Sequence, residues 1–185
     1  MATRRIREYL DGSGVRYLTV GHQPEYTAQE VAQSVRVPGR QMAKTVVVWV
    51  DDRLAMVVVP ATKDVNLDLL RRETAARDVR LAEEAEFADR FNECQLGAVP
   101  PFGNLFGMET FLDRAMVNEE KIAFTAGTHT DVIVMRLVDY TRLVRPLPVR
   151  VATAVARPHT HAGSHESLVA SEADCTIARP VPDRC

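Results

Sequence analysis

Cysteine is scarce in this chain. Three residues, Cys94, Cys175 and Cys185, stand far apart and odd in number. They show neither CxxC nor zinc-site spacing, which excludes a disulfide framework and a cysteine metal site and gives a reducing cytosol as the expected compartment. No apolar run approaches the roughly 18 residues that a membrane helix needs. Met1–Arg5 leads into an amphipathic stretch instead of the apolar segment of a signal peptide. Charge of one sign is also missing as a block: 23 basic and 25 acidic residues are mixed, for a net charge of −2. Tight, sequence-independent binding to long nucleic acid is thereby excluded, though contact with one small part of a nucleic acid is not. The sequence holds no GxSxG, HExxH, P-loop or GxGxxG. Cys94, within Asn92-Glu93-Cys94-Gln95, has nothing nearby to depress its pKa, so it reads as a structural or incidental thiol.

What is present supports a core. The chain has 185 residues, 46% of them hydrophobic, enough for one domain with extras. A helix is expected over about residues 4–10, with Ile6, Tyr9 and Leu10 inward, then a strand over 15–20. Thr27-Ala28-Gln29-Glu30 has the spacing of a capping box and opens a helix to about Val35. The β-branched and aromatic run Thr45–Val50, the turn Asp51-Asp52 and the return Leu54–Val59 read as a hairpin buried in the middle of a sheet. Helices follow over 67–72, capped by Asn66, and over 83–90. Short strands are expected at 79–81, 109–112, 122–125 and 131–137, with a closing helical turn at 139–143. The helices are too few and short for a doubly wound nucleotide fold. The fold class expected is mixed α/β, a curled, barrel-like sheet with helices outside, over residues 1–147.

Residues 148–185 differ in kind. From Val151 onward there is no Phe, Trp or Tyr, with one Leu, one Ile and three prolines. Such a segment buries too little apolar area to offset its ordering entropy and is expected to be a flexible tail. His159, His161 and His165 lie within it, as scattered tail histidines or as metal ligands.

Gly97-Ala98-Val99-Pro100-Pro101-Phe102-Gly103 organises the rest. Four of its seven residues are glycine or proline, so it forms neither a helix nor a central strand. Ala98, Val99 and Phe102 supply a wall to pack on the body. The loop reads either as a rim that brings backbone groups against a ligand or as an ordinary turn. Lys44 opens an apolar strand and must place its ammonium somewhere wet or paired, in a cleft or at the sheet edge. His129, in Ala126-Gly127-Thr128-His129, is a base or polariser at a strand end, or a turn histidine bonded to a carbonyl. His22 precedes the helix that Thr27 opens, as an anion-site neighbour or as a plain cap.

Taken in order, these pieces resemble the YbaK/prolyl-tRNA editing-domain family, free-standing aminoacyl-tRNA deacylases related to the insertion domain of bacterial prolyl-tRNA synthetases. The resemblance rests on His22 with Tyr26-Thr27-Ala28-Gln29-Glu30-Val31-Ala32, on Ala43-Lys44-Thr45-Val46-Val47, and on Val59-Pro60-Ala61. It continues through Gly97–Gly103 and Ala126-Gly127-Thr128-His129. The family lysine falls on Lys44 and the Gly-x-x-x-Pro loop on Gly97 and Pro101. Members selective for alanyl-tRNA have asparagine after that lysine, whereas Thr45 stands here, which leaves the amino acid open.

The resemblance implies hydrolysis of the ester joining a wrong, small amino acid (Ala, Ser, Thr or Cys) to the terminal ribose of a tRNA. Lys44, Gly97, Pro101 and His129 are the expected catalytic positions. Substrate is expected against His22, Tyr26, Thr27, Thr45, Phe102, Gly103 and Gly127. Neither a cofactor nor a metal is implied, because an aminoacyl ester is already activated and positioning a water suffices. The implied partners are the tRNA acceptor end and an aminoacyl-tRNA synthetase. A non-catalytic module that grips an aminoacyl or nucleotide ligand is the competing reading.

Overall fold

The computed structural model describes residues 2–25, 27–95 and 97–154. Tyr26 and the tail histidines His159, His161 and His165 lie outside the described residues. In chain order the elements are α1 (Ala2–Gly12), β1 (Tyr17–Gly21), α2 (Ala28–Ser34), β2 (Ala43–Val50), β3 (Arg53–Pro60), β4 (Lys63–Val65) and α3 (Leu67–Thr74). There follow β5 (Val79–Leu81), α4 (Glu84–Phe87), β6 (Glu109–Asp113), α5 (Arg114–Val117), β7 (Lys121–Thr125), β8 (Asp131–Arg136), α6 (Leu137–Val144), β9 (Leu147–Val149) and β10 (Ala152–Ala154).

The β2–β3 hairpin occupies the second and third places of a five-stranded sheet ordered β5-β2-β3-β6-β9. Its two-residue turn needs a left-handed conformer, and Asp51 supplies one at φ 50°. The Asp51 carboxylate then accepts from the backbone N–H groups of Arg77 and Asp78 (2.8 and 3.0 Å), tying the turn to the approach of β5. Alternate residues of β3 serve two cores. Ala55, Val57 and Val59 pack with Leu70 of α3 and with Val149 and Val151. On the other face, Val58 joins Ile6, Leu10, Phe124, Ile133 and Tyr140, while Leu54 and Met56 meet Phe91 and Met108.

The barrel-like description does not hold. The strands form three separate sheets, of five, three (β1-β8-β7) and two (β10-β4) strands. Among the described residues none closes on itself. β7 pairs with β8, and among the described residues one isolated bridge, Met42 to Ala123, links the two larger sheets. Both are left with open edges.

Three strands, β4, β9 and β10, were not expected. β9 adds in parallel to β6, and β10 pairs with β4 in antiparallel register, so ordered structure runs to Ala154, past residue 147. The buried Asp113 holds this segment: Oδ2 accepts from the backbone N–H groups of Val151 and Ala152 (2.7 and 2.8 Å), and Oδ1 caps α5 through Ala115. Among the described residues no helix is long and apolar enough to cross a membrane.

Candidate functional site

One end of β2, the N-terminus of α2, the end of β3 and the loops at 95–103 and 126–130 converge on a cavity of about 450 Å³. α2 is fixed there by a complete capping box: Thr27 Oγ1 accepts from the Glu30 N–H (3.2 Å) and Glu30 Oε2 from the Thr27 N–H (3.1 Å). Gln29 Nε2 donates to the Ala61 carbonyl (3.2 Å), which joins α2 to the end of β3.

Lys44, second residue of β2, projects into this cavity and meets Asp64 of β4, Nζ to Oδ1 at 2.5 Å. The side chains are 29% and 47% exposed, so the pair is half-wet and its ions need no full desolvation. Asp64 is positioned by its strand: it stands opposite Thr153 of β10, whose hydroxyl donates to the Asp64 carbonyl (3.3 Å).

Across the cavity, Gly97 and His129 face each other. Gly97 has φ +78°, a left-handed conformation that glycine adopts without strain. A Cβ built on it would lie 3.6 Å from His129 Cε1. Gln95 clasps the two loops, since its N–H donates to the Gly127 carbonyl (2.9 Å) and its Oε1 accepts from the His129 N–H (2.7 Å). His129 Nδ1 lies 3.1 Å from the Glu25 carbonyl oxygen, while the Glu25 N–H donates to the His129 carbonyl (3.3 Å). A carbonyl only accepts, so Nδ1 carries the hydrogen in that bond.

The cavity therefore brings together Lys44, Thr45, Gly97, His129 and Thr27, all expected from the sequence. Five other expected residues do not line it. Phe102 is fully buried and packs edge-on against Tyr9, Phe124 and Tyr140, with centroids at 6.1, 5.2 and 5.6 Å. Pro101 is buried beside it, its carbonyl accepting from the Tyr140 hydroxyl at 2.7 Å. Gly103 is a packing glycine, because a Cβ there would collide with Thr110 Oγ1 and the Met108 carbonyl. Gly127 is buried and serves through its carbonyl. His22 sits over a separate hollow with Ser34 and Thr130, its Nδ1 2.6 Å from the Gln23 carbonyl. The loop thus divides: Gly97 and Val99 form the rim, and Pro100–Gly103 anchor it in the core.

Asp64, Glu25, Gln29 and Gln95 were not expected. Asp64 lies in Lys63-Asp64-Val65, too short a strand to announce itself, and its partner Thr153 is 89 residues on. Gln95 stands beside the glycine loop, and its adjacency was the one available signal.

A second hollow of about 400 Å³ adjoins the first and shares Thr45, Gly97 and Val99 with it; Phe87, Phe91 and Ala82 make it apolar. Cys94 lines it, and burial, assisted by Glu93, pushes the thiol up to about 11. Such a thiol is protonated at neutral pH and is a poor nucleophile.

Fold and site define a mixed α/β domain with a polar cavity at one end of its central hairpin. The sequence profile of the aminoacyl-tRNA editing domain matches residues 22–143, and the chain belongs to that family. Solved structures agree on the fold. The hypothetical protein APE2540 superposes with TM-score 0.72 at 19% identity, over 80% of this chain and 99% of its own. A protein described as a proposed trans-editing enzyme for prolyl-tRNA synthetase superposes with TM-score 0.71 at 18% identity, over 83% and 98%. No curated protein matches the sequence.

Proposed function

We propose that this domain hydrolyses the ester between a small, wrongly attached amino acid (Ala, Ser, Thr or Cys) and the terminal ribose of tRNA. In the reaction water adds to the carbonyl carbon, the bond from that carbon to the ribose oxygen breaks, and the departing oxygen takes up a proton that the water loses. Negative charge gathers on the carbonyl oxygen as the water adds. An ammonium or backbone N–H held at that point lowers the barrier by a few kcal/mol.

Lys44 is the residue for that charge. Gly97 leaves room beside His129 for the aminoacyl carbonyl, and the imidazole, oriented by the Glu25 carbonyl, aligns the water. No protein nucleophile is required, which accords with the protonated state of Cys94. Discrimination in this reading is by exclusion, with Gly97, Val99 and Ala43 of the cavity lining as the wall that larger side chains would meet.

The observation that carries this reading is the convergence of Lys44, Thr45, Gly97 and His129 on one cavity in a chain of the editing-domain family. A panel of tRNAs charged with Ala, Ser, Thr, Cys and Pro tests it. Release of one or more of the small residues above the spontaneous rate is expected. Release of none, with folded protein, would refute it.

A further inference from the structure

Among the described residues, the ionisable side chains lining the cavity are Glu25, Lys44, Asp64 and His129. Lys44 and Asp64 set an ammonium and a carboxylate side by side on this lining. Such a pair favours a ligand that brings a cation beside an electron-rich oxygen. An aminoacyl ester is such a ligand, for its α-ammonium is separated from the carbonyl carbon by only one carbon atom.

The two carboxylates are not equivalent. Glu25 Oε1 accepts from Ser34 Oγ (3.1 Å), toward the outer hollow that Glu25 also lines. Asp64 instead presents its carboxylate beside Lys44 Nζ, with Oδ1 as the atom that accepts from it. The Lys44–Asp64 pair thus places a positive and a negative group side by side on the cavity wall, 2.5 Å apart. Ester carbonyl and α-ammonium present the opposite order at similar spacing. β4 is held by β10, and β10 by the buried Asp113, so the carboxylate is carried on fixed backbone.

We infer that Asp64 is the subsite for the α-ammonium of the aminoacyl group, selecting aminoacyl esters over acyl esters that lack the amine. This rests on the proposed ester substrate, but it is separable from turnover. Lys44 keeps one side of the Asp64 carboxylate and the ligand's ammonium takes the other, so the lysine remains available to the carbonyl oxygen.

The test uses two non-hydrolysable analogues of a charged tRNA end, 3′-amino-3′-deoxyadenosine carrying either an alanyl or a lactyl group in amide linkage. The lactyl analogue replaces the ammonium by a hydroxyl of nearly equal size. Binding of each is measured calorimetrically to the full chain, to Asp64→Asn and to Glu25→Gln. A charge-assisted hydrogen bond favours the alanyl analogue by roughly tenfold or more. That preference is expected in the parent and in Glu25→Gln, and it should collapse in Asp64→Asn. Equal or absent binding of the two analogues to the parent would overturn the inference, as would a preference that survives Asp64→Asn. Tighter binding of both analogues to Asp64→Asn would also overturn it, showing that Asp64 merely occupies Lys44. A preserved alanyl preference without any deacylation would instead refute hydrolysis and leave the subsite standing.

Discussion

The phenol hydroxyl of Tyr140 donates to the carbonyl oxygen of Pro101 at 2.7 Å, and both residues are buried. Burial pushes the phenol well above its ordinary pKa, so it remains a donor across the accessible pH range. This bond and the burial of Phe102 hold the inner half of the loop whose outer half carries Gly97. Tyr140→Phe keeps the ring and removes the donor, leaving a buried carbonyl without this partner at a cost of about 1–3 kcal/mol. Thermal unfolding should report a midpoint lowered by roughly 2–4 °C per kcal/mol. An unchanged midpoint would show that the loop does not depend on this bond.

Gly97→Ala should act on both stability and activity. At φ +78° a side chain is strained by about 1 kcal/mol, so the midpoint falls by a few degrees. The new Cβ makes ordinary contact with His129 and does not displace it, but it takes space from the aminoacyl group. Turnover per folded molecule is expected to fall, more for threonyl than for alanyl esters. Lost stability with intact specific activity would make the loop a plain turn and move the site elsewhere.

The parts of this molecule that repeat at short range were legible in the sequence. Thr27 and Glu30 form the capping box that their spacing announced, Asn66 caps α3, and the Thr45–Val50 and Leu54–Val59 runs are the central hairpin. β4 and β10 escaped because each is three residues long and gains its partner only through the fold. Pro101, Phe102 and Gly103 carry the same turn chemistry as Gly97, and sequence alone does not say which end of a loop faces ligand. In the fold Phe102 is fully buried, while Gly97 lines the cavity. The Lys44–Asp64 pair was half legible: a lysine in an apolar strand needs a partner, but the identity of that partner is a tertiary fact.

Lys44→Ala should lower kcat/KM by roughly 10²-fold, the scale of losing one charge-stabilising donor. The fold should tolerate it, since a half-exposed ion pair contributes only about 0–1 kcal/mol. Parent-like kcat/KM at sub-saturating substrate would remove Lys44 from the mechanism.

Cys94 gives a pH dependence with a defined sign. Burial favours the neutral thiol in the folded state, so its pKa is raised from about 9 to about 11. The stability this group contributes is complete below its unfolded pKa and is lost as pH rises toward 11. Site-resolved alkylation of the native chain should accordingly be slow at pH 8 and accelerate steeply in alkali. Cys94→Ala should retain deacylation at neutral pH. Labelling at pH 7 as fast as that of an unfolded chain would contradict the burial of the thiol, and loss of turnover in folded Cys94→Ala would return it to the mechanism.

Multiple-turnover deacylation tests hydrolysis most directly. Mischarged tRNA carrying a small amino acid is supplied in about hundredfold excess over the purified chain, and amino acid released is counted per protein molecule after correction for spontaneous loss. Many equivalents per molecule are expected, falling sharply in Lys44→Ala. A plateau at or below one equivalent, with the tRNA retained on folded protein, would contradict the claim and make the domain a binding module.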